Sequence, residues 1–308
     1  MIFLRGIFLK IASVATFVCM AAIVKSVSDT IPAGQTVFFR SIFAVPVILA
    51  WIALQGVGLR AGIATANPMS HLWRGIVGTT AMALTFAGLG LLPLPEVTAI
   101  GYAAPLFAVI LAAMFLGEQV RLVRLTAVGM GLVGVGIVLS PRLTTLSSDG
   151  LTDTETLGAV IVLVSAVFVA MAHVFIRKLV ATEKTSSITF WFSITASVLA
   201  LATIPFGWVM PDPATFGMLV AAGLIGGVGQ ILLTSAYRYA PTAVIAPFDY
   251  ASMIFALILG YGLFGEVPTG RTLIGAAIVV AAGLLIIWRE QALGLERKGQ
   301  RKSSTPQG

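Results

Sequence analysis

Charged and thiol side chains are scarce in this chain. Asp, Glu, Lys and Arg together make up 10% of its 308 residues, and it has one cysteine, Cys19, and two histidines. Soluble globular proteins carry about 25% charged residues, so this chain lacks the polar surface that water requires. A single cysteine excludes an intrachain disulfide, and one cysteine with two histidines does not make a convincing zinc site. We therefore expect no metal and no cofactor.

Hydrophobic residues are correspondingly abundant in the sequence. They make up 58% of the chain, the mean hydropathy is +1.02, and there are 32 glycines and 14 prolines. Membrane helices tolerate Gly and Pro because neighbouring helices and cavity water satisfy the freed backbone groups. The composition predicts an integral membrane protein.

Apolar runs of about 20 residues, the length needed to cross a bilayer, occur ten times. The first run lacks a small-residue cleavage site and is as long as a full span, so we expect it to be retained. The predicted helices are 6–27, 34–54, 72–91, 96–116, 122–140, 157–178, 187–208, 214–237, 242–263 and 270–288.

The sequence contains an internal repeat, with two related halves. A shift of 148 positions aligns Gly75 with Gly223, Gly78 with Gly226, Pro93 with Pro241, Tyr102 with Tyr250, and Gly117-Glu118 with Gly265-Glu266. A shift of 152 positions aligns Ser13 with Ser165, Lys25 with Arg177, Phe38 with Phe190, and Ser41 with Ser193. We predict a first repeat at 1–140, a polar linker at 141–156, a second repeat at 157–288, and a basic cytoplasmic tail at 289–308.

The basic residues indicate the orientation. Fifteen of the 19 Lys and Arg residues, Lys10 and Arg74 among them, are assigned to segments on the side of the N-terminus. Cytoplasmic loops carry such an excess, so both termini are expected in the cytoplasm of a bacterial-type cell, with the protein in the inner membrane. Membrane topology accounts for the basic residues, and we expect no nucleic-acid partner. Because five is odd, the second repeat must enter the membrane upside down.

These features resemble a known family, the ten-helix EamA-domain branch of the drug/metabolite transporter superfamily. The resemblance covers residues 6 to 288. It rests on the ten spans, on the paired endings Leu116-Gly117-Glu118 and Phe264-Gly265-Glu266, on Pro105 and Arg40, and on the glycines of the fifth helix. It implies an all-α integral membrane fold of two inverted five-helix repeats. It also implies a central cavity, lined mainly by helices 1, 3, 4, 6, 8 and 9, that moves small organic solutes.

Polar residues inside the spans are the candidates for function, because an ionisable group in hydrocarbon is costly and faces a cavity or a partner. His173, Gln230 and Asp249 are expected on three helices at a similar depth, roughly 6 to 11 Å from the cytoplasmic face at 1.5 Å per residue. Asp249 is the candidate for proton coupling; the alternatives are a structural aspartate and a recognition group for a substrate amine. His173 and Gln230 are either substrate-binding groups or packing residues.

Arg40 and two tyrosines complete the predicted cavity. A guanidinium holds a carboxylate through two parallel hydrogen bonds, so Arg40 is either a substrate anchor or a structural residue paired with Glu96 or with carbonyl groups. Tyr102 and Tyr250 occupy equivalent positions in the two repeats. Inverted symmetry is expected to place them on related faces of the central site, although tyrosines also anchor helices at interfaces.

Other classes of protein fit the sequence less well. No nucleophile and base, metal cluster or phosphate loop indicates an enzyme, and no nucleotide-binding domain indicates primary transport. A passive channel is the alternative of another class, but inverted duplication favours alternating access. We predict a secondary transporter, a monomer or homodimer among membrane lipids, that moves a small metabolite, with amino acids and their derivatives first and a flavin-type vitamin second.

Overall fold

A computed structural model describes residues 2–56, 58–116, 122–148, 154–240 and 242–303. These residues form helices and connecting turns, with two short 3-10 helices at Ile204–Phe206 and Ala246–Ala251. The α-helices are α1 Ile2–Val27, α2 Ala33–Ile42, α3 Ala44–Leu54, α4 Leu59–Ile63, α5 Pro68–Leu91, α6 Leu94–Gly101, α7 Ala103–Leu116, α8 Leu122–Ser148, α9 Thr154–Leu179, α10 Thr185–Leu201, α11 Pro213–Tyr239, α12 Thr242–Ile245, α13 Ser252–Phe264 and α14 Gly270–Ser303.

Each of the ten predicted spans corresponds to a helix or to a pair of consecutive helices. Within the described residues, six spans are long and apolar enough to cross a membrane, and three shorter apolar helices accompany them. The protein is an all-α, multi-pass membrane protein. The helix α8 continues to Ser148 and α9 begins at Thr154, so part of the predicted linker is helical.

Prolines divide three of the predicted spans. Pro46, Pro105 and Pro247 each lack the N–H that would bond the carbonyl four residues earlier. The first two spans break at Phe43 and Tyr102, three residues before the proline, and the third becomes α12, a 3-10 helix and α13. The break at Pro247 places Asp249 in the 3-10 helix Ala246–Ala251 and not on a regular α-helix.

The predicted span 187–208 is too long at its C-terminal end. The helix α10 begins two residues earlier and ends at Leu201, and a 3-10 turn follows it. Gly207 then adopts a left-handed backbone with φ +91°, which glycine accepts without steric cost. The apolar composition of residues 202–208 imitates a helix, but these residues form the connection to α11.

The packing of the helices repeats between the two halves. The pair α1 with α11 corresponds to α9 with α5, and the pair α2 with α11 corresponds to α10 with α5. The helices α8 and α14 pack against each other, as do α2 and α10, each with its own equivalent. Such an exchange of partners is what a two-fold axis between inverted repeats produces.

Two equivalent hydrogen bonds show this relation at the level of atoms. The Ser13 hydroxyl donates to the carbonyl of Gly229 at 3.1 Å, and the Ser165 hydroxyl donates to the carbonyl of Ala81 at 2.9 Å. The two donors are 152 positions apart and the two acceptors 148 apart, which are the two registers of the repeat. Each bond joins a helix of one repeat to a helix of the other.

Glycines bring α8 and α14 into close contact. A Cβ atom at Gly134 would lie 2.8 Å from the carbonyl oxygen of Gly275, and a Cβ atom at Gly275 would lie 2.6 Å from the carbonyl oxygen of Gly134. Small residues at such crossings let membrane helices approach backbone to backbone. The two last helices of the repeats thus form a tight pair, away from the polar centre.

Candidate transport site

The predicted proton-coupling residue, Asp249, forms a salt bridge with a residue that the sequence analysis did not select. Lys10 Nζ of α1 lies 2.6 Å from Asp249 Oδ1, and the side chains are 1% and 30% exposed. Both residues lie towards the face of the bundle where α1 begins, which we call the terminal face. The pair joins the first repeat to the second and neutralises both charges.

One aromatic ring lies beside this pair, and a second ring packs against the first. The Tyr237 ring of α11 lies 5.5 Å from Lys10 Nζ, and its centroid is 6.0 Å from that of His173 on α9. We call Lys10, His173, Tyr237 and Asp249 the terminal-side cluster. The structure thus brings two of the predicted residues together, His173 and Asp249.

Gln230, the third residue predicted at this depth, lies elsewhere. It is buried on α11, seven residues before Tyr237, which places it about 10 Å closer to the middle of the helix at 1.5 Å per residue. We therefore assign it to the centre of the bundle and not to the terminal-side cluster.

The sequence contained a signal for Lys10. Lys10 lies inside the first apolar run. It also adds to the excess of basic residues on the side of the N-terminus, which is a simpler explanation for a lysine at this position. An ionisable residue within a span requires a partner, and Lys10 is almost completely buried. Arg74 on α5 is also counted among the basic residues that indicate the orientation, yet it is buried, with 3% of its surface exposed.

Arg40 and Arg74 contact a common ring inside the bundle. The guanidinium carbon of Arg40 lies 5.7 Å from the centroid of Phe192, and that of Arg74 lies 4.0 Å from it. Arg40 Nη2 donates to the carbonyl of Gly226 at 3.2 Å, in agreement with the predicted alternative of a carbonyl partner. We call Arg40, Arg74 and Phe192 the arginine site.

Most donors of the arginine site are unused. Nε and Nη1 of both arginines are buried without a hydrogen-bond partner, and no carboxylate among the described residues forms an ion pair with either side chain. Two further buried hydroxyls without a partner, those of Ser41 and Ser193, belong to the neighbours of Arg40 and Phe192 in the chain. The site is therefore positively charged and rich in unused donors.

Tyr102 and Tyr250 pack against each other. Their ring centroids are 5.0 Å apart at an interplanar angle of 75°. The Tyr102 hydroxyl donates to the carbonyl of Tyr250 at 3.0 Å and lies 2.9 Å from the hydroxyl of Ser252. Both rings are buried, so in this conformation they form a contact between the repeats.

A second ion pair lies at the opposite face, where α1 ends. Lys25 Nζ is 3.1 Å from Glu266 Oε1 and donates to the carbonyls of Leu89 at 3.2 Å and Leu92 at 2.7 Å. Glu266 Oε2 accepts a hydrogen bond from the backbone of Leu94 at 2.8 Å. These bonds tie the ends of α1, α5 and α13 to the start of α6. Glu118, the repeat equivalent of Glu266, lies outside the described residues.

A carboxylate also organises the connections at the terminal face. Glu183 accepts hydrogen bonds from the Thr65 hydroxyl at 3.0 Å and from the backbone of Ala66 and Asn67 at 2.9 and 3.1 Å. Burial raises the pKa of the Glu183 carboxyl, but these hydrogen bonds outweigh burial and the net pKa lies below its ordinary value. The carboxylate fixes the loop before α5 to the loop before α10.

One cavity of about 440 Å³ lies near the opposite face between α2 and the start of α11. Its lining is apolar and comprises Phe39, Met210, Pro211, Pro213 and Phe216. None of the predicted site residues contributes to this cavity. It is separate from the arginine site and from the terminal-side cluster.

Comparison with known proteins agrees with this architecture. The model of the EamA-like transporter family matches residues 4–140 and 156–288. The chain belongs to the EamA-like transporter family. It superposes on a protein of known crystal structure with a TM-score of 0.64 at 22% identity, covering 92% of this chain and 96% of the other, which supports the fold.

Relatives of this EamA protein are named as carriers of several compounds. The chain is 30% identical over 279 residues to the pseudopaline exporter CntI of Pseudomonas aeruginosa, covering 90% of this chain and 94% of that protein. It is 28% identical to the S-adenosylmethionine uptake transporter of Rickettsia bellii, covering 83% and 84%. It is 29% identical to the riboflavin transporter of Rhizobium johnstonii, covering 84% and 82%. At this level of description, the protein is a transporter of small molecules.

Proposed function

We propose that this protein is a secondary transporter that moves a small organic metabolite across the inner membrane by alternating access. Amino acids and their derivatives are the first substrate class. Both termini lie in the cytoplasm in this proposal, and the repeats 1–140 and 157–288 move against each other. The observation that carries the proposal is the exchange of packing partners between the repeats, together with buried charged groups at the interface between them.

The Lys10–Asp249 pair supports proton coupling. A proton on Asp249 would remove the charge that holds Lys10 and would leave a buried ammonium without its partner. The two residues belong to different repeats and lie 2.6 Å apart. Opening of the pair is therefore linked both to proton binding and to the relative position of the repeats. His173 and Tyr237, the two rings of the terminal-side cluster, are proposed to set its access to water.

The named relatives support a broad substrate class and leave the direction open. One is an exporter and another an uptake transporter, so the same fold serves both directions. S-adenosylmethionine is an amino-acid derivative, which favours the first substrate class. The riboflavin relative favours a flavin-type vitamin as the second candidate. A passive channel remains the alternative of another class.

Reconstitution tests this proposal. Purified protein in liposomes would be supplied with a radiolabelled amino-acid mixture, S-adenosylmethionine and riboflavin in separate assays, with and without an inward proton gradient. We expect accumulation of one of these solutes above its external concentration, dependent on the gradient. Asp249→Asn should retain equilibration of the solute and lose accumulation, because the proton-binding group is gone.

Glu266→Gln is the matched control for this experiment. It also removes the carboxylate of an ion pair with α1, but at the opposite face. We expect this variant to change the rate and to retain dependence on the gradient. Accumulation by Asp249→Asn equal to that of the wild type would refute proton coupling at this residue. Rapid equilibration of all three solutes and of ions, without accumulation, would identify a channel.

A further inference from the structure

The arginine site holds more positive charge than its surroundings balance. The side chains of Arg40 and Arg74 are 1% and 3% exposed, and four of their nitrogen atoms have no hydrogen-bond partner. An unpaired buried charge is costly, and natural proteins keep one where it is paired or functional. The contrast with the neighbouring Lys10, which has Asp249 at 2.6 Å, shows that this fold supplies carboxylates to other buried cations.

Two glycines make room for the guanidinium groups themselves. A Cβ atom at Gly226 would lie 2.8 Å from Arg40 Nε, and a Cβ atom at Gly78 would collide with Arg74 Nη1. Gly78 and Gly226 are 148 positions apart and occupy equivalent positions in the two repeats. The two guanidinium groups therefore lie beside equivalent points of α5 and α11, one on each side of the axis between the repeats.

The two arginines share a common contact. Both guanidinium carbons contact the ring of Phe192, so they are no farther apart than the sum of their distances to its centroid. Arg40 is held in place by the carbonyl of Gly226, which leaves its remaining donors oriented. The residues come from α2, α5 and α10, and the carbonyl comes from α11. A ligand bound here contacts both repeats.

We propose that Arg40 and Arg74 together bind the carboxylate of the transported solute, with Phe192 against the adjoining apolar part. The substrates are then organic anions or zwitterions with a carboxylate. A guanidinium binds a carboxylate through charge-assisted hydrogen bonds from its N–H groups, and four nitrogen atoms of these two guanidinium groups have no partner. This inference rests on the proposed function, since it names the substrate class of that same carrier.

Thermal stabilisation of the purified full-length protein tests the site without knowledge of the substrate. The probes are sodium succinate and sodium phenylacetate, each compared with its neutral amide at constant chloride and ionic strength. A ligand that binds only the folded state raises the melting temperature. We expect the carboxylates to raise it by several degrees and the amides to leave it unchanged.

Four substitutions assign the effect to particular residues. Arg40→Gln and Arg74→Gln should each weaken the apparent affinity for the carboxylate probes at least tenfold. Arg60→Gln removes an arginine that is exposed outside the spans and should leave the affinity unchanged. Arg74→Lys keeps the charge without the planar donors. It provides a folded variant if the glutamine substitutions do not fold, and it should bind at least threefold more weakly.

The alternatives lead to different results. If the arginines only hold the helices together, the glutamine variants will melt at lower temperature and keep the response to carboxylates, and the inference is overturned. Equal stabilisation by the amides, or by added chloride, also overturns it. Carboxylate binding without transport in liposomes would reject the proposed function and leave the site intact. Transport that is unaffected by Arg74→Gln would reject the site and leave the proposed function intact.

Discussion

Lys10 and Arg40 are buried to the same extent, each with about 1% of its surface exposed, yet the protein treats their charges differently. Lys10 has a carboxylate at 2.6 Å and Lys25, at the other end of the same helix, has one at 3.1 Å. Arg40 and Arg74 have none among the residues that the structure describes. Among the described residues, both lysines therefore have a carboxylate partner, whereas neither arginine has one.

This difference separates two tasks that a carrier must perform. The lysines of α1 bind carboxylates from the second repeat at both faces, so they control how the repeats sit against each other. The described conformation contains both ion pairs at once. In the proposed alternating-access mechanism, the two pairs open at different times, so that one face is held while the other is released. In that proposal the arginines are available to the solute.

The largest expected effect comes from breaking the pair at the terminal face. Asp249→Asn leaves Lys10, which is 1% exposed, without a counter-charge. Removal of one partner of a fully buried pair costs about 3–5 kcal/mol, and since Asp249 is 30% exposed, we expect a loss at the lower end of that range. The double variant Lys10→Met with Asp249→Asn removes both charges and should recover most of this loss, without recovering coupled transport. Denaturant titration in mixed micelles would measure the free energy of unfolding. Equal stability of the single and double variants would show that the pair is not a coupled unit.

Breaking the pair at the opposite face should cost less. Lys25 and Glu266 are 15% and 16% exposed, and Lys25 keeps two carbonyl acceptors when the carboxylate is lost. A partly exposed pair lies between the buried and the surface cases, so Glu266→Gln should lower the free energy of unfolding by about 1–2 kcal/mol. The same titration measures it. A loss as large as that of Asp249→Asn would contradict the ranking of the two pairs by the burial of their lysines.

The arginine region should show the opposite sign. In a double-mutant cycle, Lys10 with Asp249 should give a favourable coupling energy, whereas Arg40→Met with Arg74→Met should give an unfavourable one of about 1 kcal/mol, because like charges repel. The cycle would be measured as unfolding free energies without carboxylates. A favourable coupling between the arginines would indicate an anion that is bound permanently, and would remove the contrast with the lysines.

The fold was predictable because its signals are long and repeated. Ten apolar runs, each near the length of a span, and two registers of matching residues predicted the helices and their inversion. The apolar residues 202–208 were misassigned because composition does not show that Pro205 and Gly207 end a helix. Pro247 also changed the environment of Asp249, which lies in a 3-10 helix and not on a uniform α-helix.

The candidate site was predictable only in part. Asp249, His173 and Arg40 were selected because each is a polar residue inside an apolar run. Lys10 and Arg74 satisfy the same condition but lie near the ends of their runs, where a basic residue has a simpler explanation as a topology signal. Their burial depends on which helices cover those ends, and this is a property of tertiary packing that the periodicity of one helix does not contain.

Glu183 offers the smallest test of the comparison, because it is a buried carboxylate held mainly by neutral donors. Its pKa lies below the ordinary value in the folded protein, so its contribution to stability is present above the unfolded pKa and is lost as the pH falls through the folded pKa. Charged acceptors form stronger hydrogen bonds than neutral ones, so Glu183→Gln should cost about 1 kcal/mol at pH 7. The variant should also lose stability less steeply than the wild type as the pH falls from about 5 to below the lowered pKa of Glu183 in the folded protein. Asp29→Asn, which changes an exposed acid, should leave that slope unchanged. A slope in Glu183→Gln equal to that of the wild type would mean that this carboxylate, unlike those beside the lysines, adds nothing through its charge.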